Sequence, residues 1–165
     1  MMPFLLTAAV AASAWVAPLP PPMTVERPFV APAAPWGAGH RGVDLTADPG
    51  TPVRAAGDGT VVFAAPLAGR YVIALAHPWA GLGPGWRTTY EGVRPHVVLG
   101  QSVVRGEVIG VLDPSGGHCT CLHWGLRNAN EYADPLRLLA RPIVLKPGAS
   151  GPGVRLLVGG TQPLH

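Results

Sequence analysis

Short runs rich in β-branched residues recur along this chain, and each run ends close to a glycine or a proline. Such runs favour strands, whereas glycine and proline are poorly suited to helix interiors and mark turns. The chain has 22 Gly and 20 Pro in 165 residues. We therefore expect a mainly β fold, a sandwich or a partly open barrel, with six or more short strands over 59–64, 71–76, 87–90, 103–104, 108–112 and 122–127.

One short helix is expected after the last of these runs. The Asp134 side chain can accept hydrogen bonds at a helix N-cap, and Pro135 suits the first helical position. This helix is expected to end at about Leu139.

The two ends of the chain differ in composition from its middle. Residues 1–14 form an apolar run that ends in Ala12-Ser13-Ala14, the small-x-small pattern of a signal-peptidase site. Such a run is too short to span a bilayer, and no other stretch qualifies. We expect an exported protein without stable membrane insertion, with a signal peptide over 1–14, a Pro-rich linker over 15–35, one domain over 36–140 and a Gly- and Pro-rich tail over 141–165.

The charge of the chain argues against one class of partner. Twelve basic residues face nine acidic ones, for a net charge of +3, and no basic run stands out. Nucleic-acid binding proteins usually concentrate their basic residues in a patch or a stripe. Binding to nucleic acid is therefore not expected.

Three residues have the chemistry of an open zinc site. His40 and Asp44 lie four residues apart, and His123 follows much later in the chain. Two imidazoles and a carboxylate are a ligand set of catalytic zinc, which leaves a fourth position for water or a substrate oxygen. The sequence therefore indicates a metallohydrolase whose cofactor is zinc.

Five sequence blocks around these residues resemble the M23 peptidases, the lysostaphin-like zinc endopeptidases of bacterial cell walls. The resemblance covers about 36–139 and rests on Gly39-His40-x-Gly42-x-Asp44-Leu45, Gly50-Thr51-Pro52-Val53-x-Ala55-x-x-x-Gly59-x-Val61, Thr88-Thr89-Tyr90, Gly100-x-x-Val103-x-x-Gly106-x-x-Ile109-Gly110 and Leu122-His123-Trp124-Gly125. It implies an antiparallel β-sheet groove, a barrel-sandwich-like core, with zinc at its floor. It also implies His40, Asp44 and His123 as metal ligands, and peptidoglycan as the partner.

The chain departs from the family at two positions that assist catalysis. The resemblance places assisting histidines at 92 and 121, where this chain has Gly92 and Cys121. A metal-bound water needs groups that accept its proton and stabilise the oxyanion, each worth about 10²–10⁴ in rate. The candidate substitutes are Glu91, His96, His77 and His118. Glu91 is expected on the opposite face of its strand from Gly92, and His77 and His96 are expected to face solvent or lie in loops.

Cys121 has two interpretations. If the segment is extended, Cys121 and His123 share a face, and a Cys121 thiolate would complete a closed structural zinc site. Alternatively, Cys119 and Cys121 form a disulfide, in keeping with an exported protein. We expect the disulfide.

Two functions follow from these features. The first is an exported, zinc-binding protein of the M23 type that acts on cell-wall peptidoglycan with weak endopeptidase activity. The second is a non-catalytic protein that binds peptidoglycan or activates another wall hydrolase. The zinc ligands favour the first function, and Gly92 and Cys121 favour the second.

Overall fold

The structure is a computed structural model that describes residues 14–34, 36–77, 83–113, 119–129 and 131–139. All of its strand pairs are antiparallel. Its elements are β1 (Thr24–Arg27), β2 (Gly42–Thr46), β3 (Pro52–Arg54), β4 (Gly59–Leu67), β5 (Arg70–Ala76), β6 (Trp86–Glu91), β7 (Val93–Pro95), β8 (Ser102–Val103), β9 (Val108–Leu112), β10 (Cys121–Asn128), β11 (Glu131–Ala133) and a 3-10 helix (Pro135–Leu138).

These strands form two sheets. The main sheet has the order β1-β2-β10-β6-β5-β4-β8, and β11 pairs with the end of β10; β3, β9 and β7 form a smaller sheet. In the described part of the chain neither sheet closes into a barrel. The expectation of a mainly β, antiparallel fold with one short helix near its end is confirmed, and the 3-10 helix begins after Asp134, whose carboxylate accepts from the amide of Leu136.

The side chains of β10 alternate between the hydrophobic core and the opposite face of the main sheet. Leu122, Trp124 and Leu126 are buried in one hydrophobic cluster that also includes Ile109 from the small sheet. The residues between them, among them His123, lie on the other face of the strand, because successive side chains in a strand point to opposite sides. We call this second face the groove face. It carries the candidate metal ligands.

The segment expected to be a linker packs onto the domain. Trp15, Leu19 and Val25 are buried in the core, and β1 pairs with β2. Backbone hydrogen bonds join Val16 to Ala56 and Arg54 to Pro18. Proline-rich composition indicates an extended spacer, but the apolar side chains between the prolines bury surface that a free spacer would leave in water. The expected signal peptide and tail lie outside the described residues, apart from Ala14.

No helix in the ranges that the structure describes is long and apolar enough to cross a membrane.

His77, expected to face solvent or lie in a loop, is instead a buried core residue. Its imidazole Nδ1 lies 2.8 Å from the Asp58 carbonyl oxygen, and its Nε2 lies 2.7 Å from the Thr88 hydroxyl. Because a carbonyl can only accept, Nδ1 donates its proton to the Asp58 oxygen. The Thr88 hydroxyl beside Nε2 donates to the Tyr90 hydroxyl, at 3.0 Å. Trp15 packs edge-on against the ring, with 4.9 Å between ring centres. Sequence alone could not reveal these partners, since they come from three separate segments.

Burial of His77 predicts that stability decreases in mild acid. Desolvation lowers the pKa of His77 below its ordinary value of 6.5, although hydrogen bonding and the charge of Asp58 oppose the shift. As the pH falls through about 6.5, the unfolded chain binds a proton that the folded chain does not, so the free energy of unfolding decreases. We expect His77→Gln to flatten this decrease between pH 7 and pH 5, measured by denaturant unfolding with a chelator present. The exposed His96→Gln serves as the control. Equal slopes in the parent and His77→Gln would contradict the assignment.

Candidate metal centre

Neighbouring strands bring the three candidate ligands together. Asp44 on β2 lies directly opposite His123 on β10, so their side chains share the groove face. His40 precedes β2 and is held by a backbone bridge to Val30, with hydrogen bonds of 2.8 and 3.0 Å. His40 and Asp44 are buried, and His123 is partly buried. The structure therefore collects residues that lie up to 83 positions apart (123 minus 40) into one cluster.

The donor atoms of the cluster converge on one carboxylate. Asp44 Oδ1 lies 3.2 Å from His40 Nε2 and 2.8 Å from His123 Nδ1. Zinc bonds to nitrogen and oxygen of about 2.0–2.2 Å give a tetrahedron with edges of about 3.3 Å. The separation from His40 is close to that value, and the separation from His123 is shorter, at a hydrogen-bond distance.

The hydrogen bond behind His40 determines which of its nitrogens faces the cluster. His40 Nδ1 lies 2.7 Å from the carbonyl oxygen of Pro28 and donates its proton to it. In the neutral ring, Nε2 then presents a lone pair to the carboxylate of Asp44, and two acceptors that face each other repel. A metal cation that binds both atoms, or a proton on Nε2, removes this repulsion. Metal-binding histidines typically donate a hydrogen bond from the ring nitrogen that does not bind the metal, as His40 Nδ1 does to Pro28. The donor set therefore fits zinc.

A glycine makes room for the His123 ring. A Cβ added at Gly42 would lie 2.7 Å from His123 Nε2 and 2.5 Å from the Trp124 carbonyl oxygen. The imidazole therefore lies over a position that has no side chain. This steric demand is a physical reason for glycine between His40 and Asp44.

Of the candidate substitutes for the assisting histidines, Glu91 lies beside the cluster. Glu91 pairs directly with His123 across β6 and β10, so its side chain is on the groove face. Strand alternation predicted that the Glu91 side chain points to the opposite face from position 92. Gly92 has a φ of +79° and lies outside β6, so the alternation of β6 does not extend to position 92. Glu91 forms an ion pair with Arg70, with Oε2 2.9 Å from Nε.

The other candidates lie elsewhere or outside the described residues. His96 is exposed, follows β7 in the small sheet and donates its backbone amide to Ile109. His77 belongs to the core, and His118 lies outside the described residues. Among the described histidines, only His40 and His123 join a group able to hold a metal.

Cys121 begins β10 two residues before His123, and its sulfur is bonded to that of Cys119, with 5.3 Å between their Cα atoms. The sulfurs of both cysteines and a carboxylate oxygen of Asp44 lie within 4.8 Å of one another. Both interpretations of Cys121 place it at the edge of the metal cluster. The pairing itself remains a prediction.

A disulfide between Cys119 and Cys121 predicts a specific mass difference. The chain isolated under oxidising conditions is expected to be about two mass units lighter than the reduced chain, because the bond removes two hydrogens. Intact-protein mass spectrometry with and without reductant measures this, and a Cys119→Ser, Cys121→Ser variant should show no difference. Two free thiols that react with alkylating reagent only after zinc is chelated would show that Cys121 ligates the metal instead.

Comparison with known proteins agrees with this geometry. The sequence model described as peptidase family M23 matches residues 38–135, which contain all three candidate ligands. The chain belongs to peptidase family M23. It is 49% identical over 141 residues to an uncharacterized protein of Mycobacterium tuberculosis, a match that covers 81% of this chain and 55% of the relative. The chain thus spans about half the length of that relative.

Solved peptidase structures share its fold. The catalytic domain of the antimicrobial peptidase lysostaphin from Staphylococcus simulans is 25% identical, with a TM-score of 0.56 and coverage of 67% of this chain and 86% of that domain. A zinc-containing peptidase from Vibrio cholerae is 23% identical, with a TM-score of 0.61 and coverage of 79% of this chain and 41% of the peptidase. The expectation of an M23 family member is confirmed, and membership supports a role related to peptidases or cell-wall hydrolases.

Proposed function

We propose that this protein is an exported, zinc-binding member of the M23 family that acts on cell-wall peptidoglycan with weak endopeptidase activity. The observation that carries the proposal is the convergence of His40, Asp44 and His123 on one carboxylate oxygen in the groove face. The family match across these residues supports zinc as the ion and a peptide as the substrate.

Each residue of the site has a definite part in this proposal. His40, Asp44 and His123 hold the metal, and the Pro28 carbonyl keeps His40 in the tautomer that binds it. Zinc at such a site supplies Lewis acidity toward a carbonyl and lowers the pKa of a bound water. Glu91 lies opposite His123 on the groove face of β6 and is the candidate proton acceptor. Its ion pair with Arg70 holds the carboxylate toward β5.

The weak activity follows from what lies at positions 92 and 121. Gly92 has no side chain, and Cys121 is expected to form a disulfide bond with Cys119. Two groups that act together in proton transfer and oxyanion stabilisation are therefore missing, and such losses are not additive. A rate several orders of magnitude below that of a complete site is expected.

The same positions support the second candidate, a non-catalytic protein that binds peptidoglycan or activates another wall hydrolase. A groove with metal ligands but without proton-transfer histidines retains the shape that binds peptide while losing the chemistry that cleaves it. The ion pair between Glu91 and Arg70 favours this candidate, because it engages the carboxylate of the candidate proton acceptor.

Location outside the cytoplasm is part of the proposal. The small-x-small pattern at Ala12-Ser13-Ala14 suits export, and a disulfide between Cys119 and Cys121 suits the oxidising conditions outside the cytoplasm. Association with the cell wall would follow from the proposed partner.

Two measurements on the zinc-loaded protein separate the candidates. Co-sedimentation with purified peptidoglycan tests binding, and chromatography of released fragments, with and without a chelator, tests cleavage. Binding with slow, chelator-sensitive release supports the enzyme; binding without release supports the non-catalytic candidate. Neither binding nor release would contradict both.

A further inference from the structure

Arginines lie on the groove face at the end of β10 that is distant from the metal cluster. His123, Gly125 and Arg127 alternate onto this face of the strand. Arg127 pairs directly with Arg87 on β6 and with Tyr132 on β11. Because directly opposed residues in antiparallel strands share a face, Arg87, Arg127 and Tyr132 form one row on the metal side of the sheet.

A third arginine joins this row through Tyr132. The guanidinium carbon of Arg41 lies 5.3 Å from the centre of the Tyr132 ring, and that of Arg127 lies 5.5 Å from it. Arg41 immediately follows the candidate ligand His40, so the row and the metal cluster share a segment of chain. We call Arg41, Arg87 and Arg127 the arginine cluster.

Arg87 and Arg127 concentrate positive charge without a matching acid among the described residues. Like charges directly opposed across strands destabilise a sheet. No carboxylate in the described ranges forms an ion pair with Arg87 or Arg127. Arg127 donates from Nη2 to the Ala129 carbonyl, but its Nε is buried without a hydrogen-bond partner among the described residues. These features favour an anionic ligand.

Residues without long side chains lie between the metal cluster and the arginine cluster. The intervening row contains Gly42, Gly125 and Thr89, side by side on β2, β10 and β6. None has a side chain longer than that of threonine, and the part of the row that the His123 ring leaves uncovered, Gly125 and Thr89, offers room for an extended chain. At about 3.4 Å per residue, Arg127 lies about 14 Å along the strand from His123. That distance is about four residues of extended peptide, and fewer if the arginine side chain reaches toward the metal.

We propose that the arginine cluster is a carboxylate-binding subsite, which holds an acidic group of a peptide about two to four residues from the bond placed at the metal. The proposal rests on the proposed function, since it assumes that a peptide occupies the groove. Guanidinium groups suit this role because their planar forks bind carboxylates through two parallel hydrogen bonds. The carboxylate belongs either to the C-terminus of the peptide or to an acidic side chain.

Binding of synthetic peptidoglycan stem tetrapeptides tests the subsite. Four forms are compared by titration calorimetry with the zinc-supplemented protein: the free acid, a form amidated at the C-terminus alone, a form amidated on its side chains alone, and a fully amidated form. We expect the free acid to bind about tenfold more tightly than the fully amidated form in low salt, as for one charged hydrogen-bonded contact. If the form amidated at the C-terminus alone binds as weakly as the fully amidated form, the bound carboxylate is the C-terminal one. If the form amidated on its side chains alone binds that weakly, the bound carboxylate is a side chain.

Substitutions assign the preference to the arginine cluster. Arg87→Gln and Arg127→Gln should each remove most of the preference for the free acid, and Arg127→Lys should restore part of it. Arg105→Gln removes the same charge from an exposed turn and should leave the preference intact. Equal binding of all four peptides by the parent, or an unchanged preference in both Gln variants, would overturn the subsite while leaving the proposed function standing. No binding of any peptide would contradict the subsite and the peptide substrate together, and zinc content measured on the same samples reports on the metal centre separately.

Discussion

Replacing Cys121 by histidine, together with Cys119→Ser, is expected to raise the rate of chelator-sensitive peptidoglycan hydrolysis by about 10² or more, since one positioned proton-transfer group contributes about that much. Position 121 lies on the groove face, directly opposite Thr46 and two residues before His123. An imidazole there would stand beside the metal cluster. The rate is measured by release of soluble fragments from purified peptidoglycan.

The matched control is Cys119→Ser, Cys121→Ser, which removes the same disulfide without adding an imidazole. Its rate should stay near the low rate of the parent. Adding Gly92→His is not expected to give the full second gain, because a φ of +79° strains any residue with a Cβ. Rapid, chelator-sensitive cleavage by the unmodified chain would contradict this prediction and indicate Glu91 as the working base, which Glu91→Gln would then test.

Gly42→Ala is expected to damage the fold and the metal centre together. The added Cβ meets a backbone carbonyl at 2.5 Å and the His123 ring at 2.7 Å, and a carbonyl within a strand pair cannot move without shifting β2 from β10. Overpacking of this kind costs about 1–3 kcal/mol of the free energy of unfolding. Displacement of His123 should also weaken zinc binding by about 10–100-fold, as for other changes that misplace a ligand.

Gly125→Ala provides the comparison for Gly42→Ala. Gly125 lies on the same face of the neighbouring strand, but a Cβ there would meet the Thr89 hydroxyl, which is a side-chain atom able to rotate away. Denaturant unfolding and zinc titration on both variants separate the two effects. Equal stability and equal zinc affinity in Gly42→Ala and the parent would show that the close approach of His123 does not constrain this position.

Local sequence patterns predicted the elements that depend on neighbours in the chain. Glycine and proline positions indicated short antiparallel strands, and Asp134 followed by Pro135 indicated the helix at its observed start. The resemblance to the M23 family, rather than a local pattern, implied that His40, Asp44 and His123 meet. Their binding of zinc remains a prediction.

Features that depend on distant partners could not be predicted in the same way. The burial of His77 requires the Thr88 hydroxyl and the Trp15 ring, which no local pattern connects to it. The position of Glu91 on the metal side depends on the register of β6 against β10 and on a left-handed residue at Gly92. The packing of Trp15 and Leu19 onto the core was hidden by the prolines around them.

Zinc content, measured by plasma mass spectrometry on protein dialysed against micromolar zinc and then against buffer, tests the assignment of the metal ligands. About one zinc per chain is expected in the parent and in Arg105→Gln, and little in Asp44→Ala, since Asp44 contacts both histidines. His40→Ala and His123→Ala should lose most of their zinc as well. A parent without zinc, or equal zinc in the parent and Asp44→Ala, would contradict the assignment of His40, Asp44 and His123 as a metal centre.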